Sequence, residues 1–184
     1  LAGDNGSGKS TVIDAMQYAL VADIRKVKFN SAAASSRSST RSLESYCRCK
    51  LGMEGAEYRR GDTITHVILE FTAPDRTFCA GIAAEAFTNG DVRETQWLLE
   101  QHRLEDVQIS SDGLLLPMRR FRETLKGIGG LVCATKREYN SKLTMLLQVH
   151  RRNVDFNPYL EALLRSVTFS PLTSVDQFVC DYIL

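Results

Sequence analysis

The sequence predicts a mixed α/β fold in which a glycine-rich loop opens a helix and an antiparallel sheet follows. The first observation is the segment 3–11, where three glycines precede Lys-Ser-Thr and a stretch of helical periodicity begins. The second is the block 65–101, which holds three β-branched or apolar runs separated by turn residues. The third is a pair of amphipathic segments, 118–128 and 135–152, separated by a glycine pair. Together these patterns predict a loop–helix unit, a meander of strands and two further helices.

Length and composition place few limits on function. The 184 residues, 43% of them hydrophobic, are enough for one domain with its own core. Lys and Arg number 23 against 22 Asp and Glu, so bulk charge does not indicate a nucleic-acid or membrane partner. No apolar run is long enough to predict export or a membrane span. The cysteines have no zinc-ligand spacing and predict reduced thiols in a cytosolic protein: Cys47, Cys49, Cys79, Cys133 and Cys180.

The loop GDNGSGKST matches the pattern in which backbone amides surround the phosphates of a nucleotide. Its glycines let the amides approach phosphate oxygens, and the following helix presents its N-terminus to the negative charge. Lys9 is expected to reach the β- and γ-phosphates and is the catalytic candidate, while the Ser10 hydroxyl is expected to bind Mg²⁺. The predicted binding residues are Gly3, Asp4, Asn5, Gly6, Ser7, Gly8, Lys9, Ser10 and Thr11.

The segment after the loop predicts a helix with one buried apolar face. Five apolar residues recur at three- and four-residue spacing and are expected to form that face: Val12, Ile13, Met16, Ala19 and Leu20.

The strand-rich block predicts an antiparallel meander. Its runs are THVILEFTA, TFCAGIAAEAF and RETQWLLEQ, with turns expected at Pro74-Asp75 and Asn89-Gly90. It contains no pattern of catalytic residues, because its histidines are isolated and Glu70 is interpreted as an exposed or paired carboxylate.

Two stretches are locally basic. Residues 25–60 hold nine basic and three acidic residues, and residues 117–152 hold nine basic and two acidic residues. A solvated surface and a phosphate-contacting surface both explain such charge. Within the first stretch Arg41, at the beginning of RSLESYCRCKLG, is the preferred functional candidate. Towards the end of the chain a helix is predicted over 158–167, and Gln177 follows a turn.

These segments together resemble the N-terminal half of the ATPase head of SMC-like proteins, in particular the MukB-like subunits of Wadjet plasmid-defence systems. The resemblance covers essentially the whole chain, although the loop is its only individually specific motif. It rests on GDNGSGKSTVIDAMQYAL, FNSAAASSRSSTRSLESYCRCKLG, YRRGDTITHVILEF and SVDQFVCDYIL.

The resemblance implies the N-lobe of an ABC-type P-loop ATPase head that binds ATP and Mg²⁺. Gln177 would be the Q-loop glutamine that meets Mg²⁺, and Arg41 an arginine near nucleotide or DNA. The implied partners are the C-lobe of the same protein joined through a coiled coil, a second head, kleisin-type subunits and double-stranded DNA bound without sequence preference. The implied function is DNA translocation or loop extrusion at the bacterial nucleoid, in the cytoplasm, without membrane contact.

Two motifs of a complete head are missing from the sequence. The nearest strings to a Walker B motif, residues 67–70 and 178–181, continue into Phe71 and Tyr182, and no LSGGQ-like signature occurs. We therefore expect residues 1–184 to be a partial head lobe, truncated before Leu1 and before the coiled coil after Leu184. Such a chain would bind ATP weakly and hydrolyse it only when completed by the C-lobe.

Two alternatives stay open at this point. A self-contained P-loop small-molecule kinase would also begin with this loop, but the meander disfavours the β-α alternation that such kinases have. A non-catalytic remnant that keeps ATP binding for interaction alone would carry the same motif.

Overall fold

The computed structural model describes residues 4, 8–23, 26–27, 42–50 and 57–148. The predicted loop around Arg41, the helix over 158–167 and Gln177 lie outside these residues. The described helices are α1 (Lys9–Val21), α2 (Leu43–Cys47), α3 (Met118–Gly127) and α4 (Lys136–Gln148), with a short 3₁₀ turn at Leu104–Asp106. The strands are β1 (Thr63–Ala73), β2 (Arg76–Ala86), β3 (Val92–Glu100), β4 (Ser110–Ser111), β5 (Leu114–Leu115) and β6 (Leu131–Val132).

The predicted antiparallel meander is confirmed. Strands β1, β2 and β3 pair in sequence, with Val67 opposite Ile82 and Ile82 opposite Gln96, and β6 adds a short fourth strand beside β3. The second turn contains Gly90 at φ 92°, a left-handed conformation that glycine adopts without strain. Helices α3 and α4 also occupy the segments predicted for them.

The sheet separates two apolar clusters, because alternate side chains of a strand point to opposite faces. Phe78, Ala80 and Ile82 of β2 pack with α1 and α4, whereas Cys79 and Ala83 face α3. The short helix α2 lies on the α1 side, where Cys47 contacts Ala84 and Ala86. The fold is therefore a three-layer arrangement, with α1, α2 and α4 on one face and α3 on the other.

The predicted buried face of α1 is partly wrong. Val12 and Met16 are 46% and 45% exposed, whereas Asp14 and Gln17 are fully buried beside Tyr18. The face with Val12 and Met16 points away from the core, because Tyr18, Ala19 and Val21 pack towards the sheet and α4. Ala19 is buried as predicted.

Helix α4 holds the C-terminal end of α1. The Tyr139 hydroxyl donates to the Ala19 carbonyl at 2.7 Å, and the Asn140 amide donates to the Val21 carbonyl at 2.8 Å. These carbonyls belong to the last turn, which has no later amide of its own helix to accept from. Burial raises the pKa of Tyr139, so its hydroxyl stays protonated and keeps donating over the whole physiological range.

The four cysteines in the described ranges are free thiols, as predicted, and Cys180 lies outside those ranges. Burial raises the pKa of Cys79 and of Cys133 to about 11. None of the helices that the structure describes is long and apolar enough to cross a bilayer.

Gly81 makes room for the only tryptophan of the chain. It lies opposite Trp97 in the β2–β3 register, and a Cβ built at position 81 would lie 2.3 Å from the Trp97 ring. Trp97 is completely buried and packs edge-to-face on Phe121 of α3 at 5.8 Å between ring centroids. Glycine at position 81 is therefore required for packing.

Gly81→Ala is expected to lower the free energy of unfolding by about 1–3 kcal/mol, because the added methyl group overpacks the Trp97 site. Urea unfolding followed by Trp97 fluorescence measures this change. Gly61→Ala is the matched control, since a Cβ at that position meets no atom within 4 Å. Equal unfolding midpoints for the two variants would contradict this account of the core.

Candidate functional site

The N-terminus of α1 is shaped to receive an anion. Gly8 is its N-cap in the left-handed conformation, at φ 86° and ψ 7°. The first bond of the helix ladder joins the Val12 amide to the Gly8 carbonyl at 3.0 Å. The amides of residues 9–11 precede that bond and point out of the helix end, where the helix dipole also favours negative charge.

Lys9 adds a cation at the same place. Its Nζ donates to the Asp4 carbonyl oxygen at 2.7 Å, so the side chain turns back towards Asp4. Ser10 is partly buried and Thr11 is exposed on the first turn. Backbone amides, an ammonium group and two hydroxyls therefore meet at one helix end, which is the donor set that binds phosphate groups.

The structure brings together five of the predicted site residues: Asp4, Gly8, Lys9, Ser10 and Thr11. The others lie outside the described residues, and their roles stay predictions: Gly3, Asn5, Gly6, Ser7, Arg41 and Gln177.

One polar contact behind the helix end was not predicted. Asp14, on the second turn of α1, is completely buried, and the Tyr46 hydroxyl of α2 donates a hydrogen bond to its carboxylate. The sequence feature that indicates a buried polar contact here is the pair Asp14 and Gln17, at helical spacing and next to Tyr18. It was missed because the apolar residues at 12 and 16 gave the stronger pattern.

An apolar cavity of about 120 Å³ lies between α1, α2 and the first two strands. Thr11 and Ala15 line it from α1, Leu43 and Tyr46 from α2, and Val67 and Ile82 from the sheet. The packing of α1 on α2 is therefore incomplete just behind the first turn of α1.

The meander holds structural carboxylates and histidines. Glu70 accepts hydrogen bonds from the Leu104 amide at 2.8 Å and from the Thr72 hydroxyl at 3.3 Å, so it is a paired carboxylate, as predicted. His66 packs edge-to-face on Phe121, and its burial lowers its pKa. Across the described parts of the chain, no group of three or more His, Cys, Asp or Glu is arranged to hold a metal ion.

The described charges of the two basic stretches lie on both faces of the sheet. In the first stretch Arg48, beside α2, bonds Glu44 at 2.5 Å and lies over the Tyr58 ring. In the second, α3 exposes Arg119 and Arg120, whose side chains are 91% and 67% accessible. Helices α2 and α3 pack on opposite faces, whereas α4, which carries Lys136, Arg137 and Lys142 of the second stretch, lies on the same face as α2.

Comparison with known proteins supports the assignment of the loop. A family model for the P-loop containing region of AAA domains matches residues 1–36, which include the loop and all of α1. No curated protein matched the chain in a search. The described beginning of α1, with Gly8 as its N-cap, thus agrees with the loop sequence that the family model matches. The N-terminal part of this chain is a P-loop nucleotide-binding region.

Proposed function

We propose that this chain is the ATP-binding N-lobe of an SMC-like ATPase head. The observation that carries the proposal is the helix α1, which begins at a left-handed Gly8 and Lys9 and packs on an antiparallel meander that follows it in the chain. The match over residues 1–36 supports the nucleotide site. The SMC-like identity rests on the resemblance of the later sequence segments.

The residues present suit ATP with Mg²⁺. The helix-terminal amides at the start of α1 and the Lys9 ammonium offer positive charge to a triphosphate, and the Ser10 hydroxyl is an oxygen ligand of the kind that Mg²⁺ accepts. The metal ion would neutralise part of the phosphate charge. In this proposal Gln177 supplies the Q-loop amide and Arg41 a further cation near the nucleotide or DNA.

The order of the sheet disfavours a self-contained kinase. Its three long strands are consecutive and antiparallel, without a helix between them, whereas the β-α alternation of a small-molecule kinase would give parallel strands.

In the proposed assembly the C-lobe of the same protein, joined through a coiled coil, supplies the signature motif and Walker B. Two such heads would enclose ATP and hydrolyse it, with kleisin-type subunits joining them. Hydrolysis would drive DNA translocation or loop extrusion at the nucleoid, in chromosome organisation or defence against plasmids.

We place the DNA contact of the N-lobe on the α3 basic surface, defined as Arg119, Arg120 and Lys126. All three side chains are exposed on α3, which lies on the face of the sheet opposite α1. Arg119 and Arg120 also pair with Glu123, at 3.1 and 3.5 Å, and the Arg122 guanidinium donates to the Thr95 hydroxyl at 2.5 Å. Exposed cations on one helix suit contact with phosphates, which gives binding without sequence preference.

Lys9→Ala is expected to weaken the binding of a fluorescent ATP analogue with Mg²⁺ by at least about tenfold, because a charge-assisted phosphate contact is lost. The dissociation constant is measured by titration of the folded chain. Lys142→Ala removes an exposed cation on α4 and is the control. An unchanged dissociation constant for folded Lys9→Ala would refute the assignment of the ATP site.

Replacing Arg120 and Lys126 together by Ala is expected to weaken the binding of double-stranded DNA and to reduce the slope of log K against log salt by about 2. The matched control replaces Arg137 and Lys142, two exposed cations of α4, which lies on the opposite face. Two duplexes of unrelated sequence should give the same result. Equal losses for both double variants would contradict the α3 basic surface.

A further inference from the structure

We propose that Tyr46 is a positioning residue for the nucleotide site: by binding the buried Asp14 carboxylate it fixes the second turn of α1 on α2, and so keeps the first turn in its phosphate-binding position. The inference rests on the proposed ATP binding. It states that this binding also depends on Tyr46, a residue outside the P-loop motif.

Asp14 needs donors from its surroundings. Its side chain is completely buried, and a buried carboxylate that loses a hydrogen-bond donor is destabilised strongly because no water replaces that donor. The Tyr46 hydroxyl is such a donor, and it comes from a residue 32 positions away in the sequence. The contact therefore joins two separate elements of the structure.

Helix α2, which carries Tyr46, is itself held in place at both ends. The Ser42 hydroxyl caps the beginning of α2 by accepting from the Ser45 amide at 3.1 Å. At the other end of α2, Arg48 bonds Glu44 and donates to the Arg60 carbonyl at 3.2 Å, just before β1. Helix α2 is thus tied to the sheet, and a bond from Tyr46 transmits that anchoring to α1.

Apolar packing does not provide the same constraint at this end of α1. The cavity of about 120 Å³ separates α1 from α2 and the sheet at Thr11 and Ala15. A gap of this kind removes the contacts that would otherwise resist a tilt of the helix. The polar contact between Tyr46 and Asp14 therefore has more influence on the position of α1 than it would in a filled core.

A shift at Asp14 reaches the phosphate-binding residues directly. In an α-helix the amide of residue 14 bonds the carbonyl of residue 10, and Ser10 is the predicted Mg²⁺ ligand. The far end of α1 is held independently by the Tyr139 bond to Ala19. Ala19 lies about 15 Å from Lys9 along the helix axis, at about 1.5 Å per residue. Loss of the hydrogen bond from Tyr139 to Ala19 should therefore leave the first turn of α1 in place.

The test compares two tyrosine hydroxyls that bond the same helix at opposite ends. Tyr46→Phe is expected to weaken the binding of a fluorescent ATP analogue with Mg²⁺ by roughly five- to tenfold, whereas Tyr139→Phe changes it less than about twofold. Both variants should lose stability in urea, so stability alone does not distinguish a positioning role from a structural one. The dissociation constant of the folded protein does.

Asp14→Ala breaks the same contact from the α1 side and is measured in parallel, so that the outcome does not depend on one variant folding. A loss of affinity in folded Tyr46→Phe, together with an unchanged affinity for Tyr139→Phe, supports the inference, and wild-type affinity in folded Tyr46→Phe overturns it. If Tyr46→Phe does not fold, Asp14→Ala takes its place in this comparison. An equal loss in Tyr139→Phe would also overturn the inference. A wild-type chain that binds no nucleotide would instead overturn the proposed function and this inference together.

Discussion

The burial of one face of α1 against the meander is the constraint on which the rest of the structure depends. Tyr18 and Val21 of α1 pack with Phe78, Ile82 and Tyr139, and this contact holds the C-terminal half of the helix against the sheet and α4. The phosphate-binding features are local, since they consist of Gly8, the first amides and Lys9. Their placement relative to the rest of the protein is not local, because the sheet holds α1 and the Tyr46 contact from α2 holds its second turn.

The same helix carries polar groups that an apolar interface would exclude. Asp14 and Gln17 are buried on α1, while Val12 and Met16 are exposed. Burying a carboxylate costs free energy, and partners such as the Tyr46 hydroxyl offset that cost. The hydrogen bond between Tyr46 and Asp14 gives α1 a directional contact with α2. An apolar contact at this position would allow the helix to slide. We regard this directional contact as the structural reason that a distant tyrosine influences the nucleotide site.

Much of the fold could be predicted because its signals are short-range. Each of these signals involves residues that are close together in the sequence. They are the period-two alternation of the strands, the turn at Gly90 and the helical periodicity of α3 and α4. The left-handed conformation of Gly8 followed from the loop motif in the same way, whereas the role of Lys9 in phosphate binding stays a prediction. The buried face of α1 could not be predicted, because the hydroxyl that bonds Asp14 comes from α2, 32 residues away. The two basic stretches likewise gave no sign that α2 and α3 pack on opposite faces. The roles of Arg41 and Gln177 stay predictions, since both residues lie outside the described ranges.

The central claim is that the beginning of α1 recognises the phosphates of a nucleotide. Equilibrium dialysis of the wild-type chain with labelled ATP and labelled AMP, each with Mg²⁺, tests it most directly. A loop that surrounds the β- and γ-phosphates should bind ATP at least about tenfold more tightly than AMP, which lacks both of these groups. Equal affinity for the two nucleotides, or no binding of either, would contradict the account.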